Sequence, residues 1–237
     1  MDLITLATTA DIRDRRPEIA LLPVGSFEQH GRHLPLATDT IVASAIADGL
    51  AAVYNVFVLP PITMSCSHEH AAWPGTISLS HRTVSAVIED VVVSLTAQGI
   101  GKLAIISGHG GNYFLSNVVQ AANAVTPKSM TLFPSRDDWR KARQDAELET
   151  DDHEDMHAGE LEVSILQAVA PGALRDGFES ADHRSNARPH LLIEGMAAYT
   201  SSGVIGRPSA GTAEKGKAIL GSLVTSFGEH LRQLTVS

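Results

Sequence analysis

Residues 19–51 read IALLPVGSFEQHGRHLPLATDTIVASAIADGLA. An unbroken apolar run from Ile19 to Val24 has the length of a strand buried on both faces, Gly31 and Pro35 break it, and residues from Thr38 to Ala51 carry a helical pattern. Strand, turn and helix in that order begin an α/β unit. Further strand-like runs at Val56 to Leu59, Lys102 to Ser107 and Met130 to Phe133 alternate with helical segments, which predicts an α/β fold with a mostly parallel sheet. In the clearest of these segments Val84, Val87, Ile88, Val91, Val92 and Leu95 keep helical spacing between a capping Ser80 and a terminating Gly99. Helices are also predicted from Gly159 to Val169, stopped by Pro171, and from Thr212 to Leu234. The charged stretch Ser135 to Asp155 and the Ser-, Gly-, Arg- and His-rich stretch Gly177 to Ser209 show no clear period. They are expected as long loops that cover a site or build an oligomer interface.

The 237 residues, 43% of them hydrophobic, suffice for one full core, so a single domain over 1–237 is expected. A formal net charge of −9 without a Lys/Arg run argues against a nucleic-acid partner. The start, MDLITLATTADIRDRR, lacks the basic-then-apolar order of a signal peptide, and no apolar run reaches the ~18 residues of a membrane span. A cytoplasmic protein with no membrane contact is expected. The single cysteine, Cys66, excludes an intramolecular disulfide and a thiolate zinc cage.

Glu28, His30 and Asp39 fall within a dozen positions, just after the first strand. Residues two apart on an extended chain face the same way, so Glu28 and His30 can converge on one ion or on two adjacent ones, and Asp39 at a helix start can fold back toward them. Carboxylate and imidazole suit Zn, Mn, Fe or Co. The sequence SGHGGN, 107–112, places His109 at the carboxyl end of another strand, where open α/β sheets bind ligands, with a helix able to start near Asn112. It is a poor dinucleotide fingerprint, because Tyr113 stands at the third glycine. HAGELEVS, 157–164, adds His157, Glu160 and Glu162 at a helix start. These could complete a binuclear site and supply an acid or base. The two glutamates lie about 200° apart on an ideal helix, so both reach the metals only if the first turn is irregular. Glu69, His70 and Trp73, ahead of a Pro-Gly turn, are candidates for a substrate-binding wall.

Taken in order, E-Q-H-G-x-H-L-P-L-x-T-D, E-H-x-x-(aromatic)-P-G-T-x-S-L, G-H-G-G-N, H-A-G-E-x-E and G-V-x-G-x-P before A-E-K-G resemble the creatininase (creatinine amidohydrolase) family over residues 21 to 216. The resemblance implies a three-layer α/β/α sandwich and a metallohydrolase with two divalent ions, zinc with zinc, manganese or iron. It implies that Glu28 and His109 hold one ion, that His30 and Glu162 hold the other, and that Asp39 bridges them. It also implies a homohexamer. Creatininase has a glutamate where this chain has Gly111, no carboxylate at the position of Glu160, and a tryptophan at the position of His153. These departures point away from creatinine and toward the formamide-hydrolase and mycofactocin-associated branches, although Arg207 stands where many relatives have an acid. The expected activity is hydrolysis of a C–N amide bond in a cyclic amide, formamide or short peptide. His157 would donate to the leaving nitrogen and Glu160 would shuttle or position the proton. A phosphoester hydrolase and a non-catalytic metal-bound assembly protein are the alternatives; the first lacks a cationic cluster and the second leaves the ligand set without a purpose.

Overall fold

The computed structural model of the protein describes residues 5–236, so the ends of the expected domain and the first four residues of the start discussed above lie outside it. Strands β1 (Ile19–Val24), β2 (Phe57–Val58), β3 (Lys102–Ser107) and β4 (Met130–Phe133) form one parallel sheet in the order β2-β1-β3-β4. Each central strand is buried on both faces, as its unbroken apolar sequence requires. Alternate side chains divide between two cores. Ile19, Leu21, Ala104 and Ile106 point into one, and Ala20, Leu22, Leu103 and Ile105 into the other. Helices α2 (Thr38–Ala51), α5 (Arg136–Asp145), α6 (Glu160–Val169) and α8 (Ala213–Thr235) fill the first core, chiefly through Val42, Ile46, Ala142, Ile165, Leu223 and Phe227. Helices α3 (His81–Ala97) and α4 (Leu115–Val125) fill the second through Val84, Ile88, Leu95 and Leu115. This is the three-layer α/β/α arrangement. Of two short helices without buried residues, α1 (Thr9–Arg15) sets Ile12 against the second core, and α7 (Leu191–Glu194) joins neither core.

The structure corrects two expectations. The stretch 135–155 is no continuous loop: α5 occupies its first half, held at its start by a capping box between Ser135 and Asp138. Its sparse apolar face, Trp139, Ala142 and Ala146, hides the helical period among charges. Helix α4 starts at Leu115 rather than near Asn112, because the glycines of SGHGGN continue as turns. The stretch 177–209 contains only short turns and α7, and it folds over the carboxyl ends of the strands. Gly203 meets the Gln29 side chain there, and Ile205 pairs with His157.

Candidate metal centre

Two glycines bring the strand ends and α2 together. A Cβ at Gly25 would lie 2.4 Å from the Thr40 nitrogen, and one at Gly108 would lie 2.2 Å from the Asp39 carbonyl oxygen. The first turn of α2 is therefore wedged between the ends of β1 and β3. Asp39 is aimed at the space above the sheet, and Ser26 Oγ donates to its Oδ2 at 2.5 Å.

Around Asp39 the chain gathers every metal ligand expected above. His30 Nε2 lies 3.2 Å from Asp39 Oδ1 and 3.7 Å from Glu162 Oε1. His109 Nδ1 lies 3.0 Å from Asp39 Oδ2 and 3.3 Å from Glu28 Oε1. Two of the groups so formed, Glu28/Asp39/His109 and His30/Asp39/Glu162, share Asp39, and in each the ligand atoms lie within 4.8 Å of one another. Ligand atoms ~2.1 Å from a tetrahedral zinc ion stand about 3.4 Å apart, so these spacings suit a cation.

The donor set fits as well. Both carboxylate oxygens of Glu28 are buried without a hydrogen-bond partner, although His70 Nε2 stands 3.2 Å and His109 Nδ1 3.3 Å from Oε1. These nitrogens are near but not aligned to donate. Leaving a buried carboxylate unpaired is costly, and a cation removes that cost. The imidazoles are wired from behind: His30 Nδ1 donates to the Glu28 carbonyl (3.1 Å), His109 Nε2 to that of Cys66 (2.9 Å) and His157 Nε2 to that of Gln29 (2.7 Å). Each directs its other nitrogen to the cluster, where the neutral ring carries its lone pair. Metal-bound histidines are oriented by this kind of outer contact.

Charge in so dry a place perturbs every group. Burial pushes the Glu28 carboxyl up to about 8. Burial opposes protonation of His109, yet the Glu28 and Asp39 carboxylates outweigh it and lift the ring to about 10. His30 is likewise held well above its usual value by Asp39 and Glu162 against the effect of burial. Asp39 and Glu162 are kept low, because the nearby imidazoles offset burial. Burial first, and the neighbouring His30 second, bring His157 down to about 4. His157 is thereby held neutral, and with Nε2–H committed to the Gln29 carbonyl its lone pair lies on Nδ1.

Two expected site residues sit differently. Glu160 does not join the cluster: Oε1 accepts from Glu149 N–H and Lys215 Nζ, and Oε2 from Thr150 N–H and Oγ1, at 2.6 to 3.0 Å. With both oxygens so engaged, it clamps α6 to α8 and to residues 149–150. The first turn of α6 is regular, and of its two glutamates Glu162 is the one that reaches His30. His70, expected with Glu69 and Trp73 in a substrate-binding wall, is a buried ring against Glu28. Of its companions, Glu69 Oε1 lies 3.7 Å from His109 Nε2, and the Trp73 ring centroid 6.3 Å from that of His70. Glu69 lines a cleft of about 550 Å³ with Cys66, Gly111, Tyr113 and Leu192, and Trp73 lines another of about 560 Å³ with Gln29, Arg32 and Ser202. Glu69 links the first cleft to His109, and Gln29, bonded to His70, links the second to the cluster.

Three supporting groups carried no signal by spacing. Gln29, inside the E-Q-H motif, is buried and bonds His70. His33 reaches the Ala158 carbonyl at 3.3 Å. Asp155 accepts from Glu160 N–H and Leu161 N–H at 2.7 and 3.0 Å and so caps α6, whose own N-cap is Gly159.

A buried carboxylate–imidazole cluster at the carboxyl ends of a parallel sheet, walled by helices on both faces, defines an α/β protein with a site able to bind metal at its strand ends. The chain belongs to the creatininase family: the family model described as creatinine amidohydrolase matches residues 5–231. Among curated relatives, the mycofactocin precursor peptide peptidase of Mycolicibacterium smegmatis is 30% identical over 226 residues, 91% of this chain and 85% of its own length. A crystal structure of creatinine amidohydrolase superposes with a TM-score of 0.83 at 21% identity, over 98% of this chain and 97% of that one. A mutant creatininase described as the Zn-Zn type does so at 0.81 and 22% identity, over 98% of both chains.

Proposed function

We propose that the protein is a metal-dependent hydrolase of a C–N amide bond, with two divalent cations held by Glu28 and His109, by His30 and Glu162, and jointly by Asp39. The orphaned Glu28 carboxylate, buried beside the His70 and His109 rings with no hydrogen-bond partner for either oxygen, carries this reading. Zinc is the first choice, alone or with manganese or iron, in keeping with the Zn-Zn description of one structural relative.

Cations bound there would supply Lewis acidity and bring the pKa of a bound water toward about 7. His157, tied through Nε2–H to the Gln29 carbonyl, offers Nδ1 as the base that takes a proton from the attacking water. It then returns the proton to the leaving nitrogen. This order refines the sequence expectation of a donor at His157. Glu160 takes no part in the proton transfer and serves the scaffold.

The substrate is a cyclic amide, a formamide or a short peptide. The peptide reading, processing of a mycofactocin-type precursor, is favoured by the 30% identity to a peptidase that acts on one. Gly111 and His153, where creatininase has glutamate and tryptophan, weigh against creatinine. A cytoplasmic homohexamer is part of the same proposal.

The test is elemental analysis followed by a screen of lactams, cyclic ureides, formamides and short peptides with the metal-replete protein. About two ions per chain and turnover of one class are expected. A protein that stays metal-free under replete conditions would sink the proposal.

A further inference from the structure

We infer that His70 is a positioning residue for Glu28, locked by Gln29 as a neutral Nε2–H donor and thereby barred from serving as a metal ligand. The inference rests on the metal-centre reading above. Its geometry begins with the orientation of one buried amide. Gln29 Oε1 accepts from the Gly31 N–H at 3.0 Å, and Gln29 Nε2 donates to the Gly203 carbonyl at 3.1 Å. A backbone N–H can only donate and a carbonyl can only accept, so flipping the amide would break both contacts. Gly203 makes the arrangement possible: a Cβ there would fall 1.7 Å from Gln29 Oε1, and its φ of +88° suits glycine.

The remaining hydrogen on Gln29 Nε2 points to His70 Nδ1 at 2.9 Å. Nδ1 must therefore accept, and the ring keeps its one hydrogen on Nε2, 3.2 Å from Glu28 Oε1. This wiring is the reverse of that of His30, His109 and His157, whose back nitrogens donate to carbonyls. Among these four rings only His70 meets a donor at its back nitrogen, which fixes its hydrogen on the side of Glu28. Glu28 has lone pairs enough for a cation and one such donor, which stands 3.2 Å from Oε1. Outer contacts of this type hold a ligating carboxylate in its binding rotamer.

The experiment combines tautomer and affinity measurements on the zinc-loaded protein. Long-range proton–nitrogen NMR of ¹⁵N-labelled protein should show His70 as the neutral Nε2–H form. Zinc titration should show one ion weakened about 10- to 100-fold in His70→Ala, with the second retained and part of the loss restored by His70→Gln, which keeps a donor. Gln29→Glu replaces the donor to Nδ1 with an acceptor, so it should move the hydrogen to Nδ1 and weaken the same ion. A His70 that carries its hydrogen on Nδ1, or that loses the Nε2 hydrogen on zinc loading, overturns the inference. So does His70→Ala with parental affinity for both ions. Should His70→Ala not fold, the tautomer in the parent decides. A parent that binds no zinc overturns the metal-centre reading and this inference together, whereas a two-zinc parent with an indifferent His70→Ala overturns this inference alone.

Discussion

At the residue scale the two glutamates that open α6 have parted roles. Glu162→Gln takes a carboxylate oxygen from beside His30, so metal analysis should find one ion lost. Glu160→Gln keeps the shape but gives up the ion pair of a fully buried carboxylate with Lys215, 2.6 Å away. It should retain both ions and turn over within a few-fold of the parent, while denaturant unfolding shows a loss of about 1–3 kcal/mol. A Glu160→Gln protein that is stable but inactive would restore the proton-transfer role first expected from sequence. Asp39 faces His30 with one oxygen and His109 with the other. Asp39→Asn should therefore lower metal content from about two ions to one or fewer, as read by elemental analysis.

At the element scale the centre depends on how helices meet strand ends. Gly108→Ala places a methyl carbon 2.2 Å from the Asp39 carbonyl oxygen, a conflict of backbone with side chain that no rotamer relieves. It should cost about 1–3 kcal/mol of stability, lift Asp39 from its place and weaken metal binding, a combination seen by thermal unfolding with zinc titration. The same substitution at Gly101, where an added Cβ meets nothing within 4 Å, is the control and should leave metal binding unchanged. Elements with a strong apolar period, such as β1, β3, α2 and α3, were legible because each buries a continuous face. Helix α5 was not, since its few apolar residues lie among ten mostly charged positions. Its capping box was the local signal that remained.

For the whole molecule, bound cations should stabilise the fold by linkage. Three carboxylates share one buried site, and a ligand present at 100 times its dissociation constant adds about 2.7 kcal/mol. Removing metal with a chelator should lower the unfolding temperature, and zinc should restore it; calorimetry showing no change would count against tight binding. Leu192 and Ile193 on α7 are 80% and 84% exposed, more than an isolated chain favours. Light scattering is expected to show a homo-oligomer, six chains by family resemblance, and a 25.1 kDa species at micromolar concentration would refute this.

The sequence by itself determined the α/β alternation and the four strands, because burial on both faces writes unbroken apolar runs, and its short motifs named the candidate metal ligands. Only the tertiary structure decided that Glu160 is engaged with residues 149–150 and Lys215, that His70 lies against Glu28, and that Gln29, Cys66 and Asp155 support His70, His109 and the start of α6. These roles follow from contacts between segments up to 174 residues apart, as between Gln29 and Gly203. The direction of a side chain's hydrogen bond is a property of its neighbours in space, which spacing along the chain does not encode.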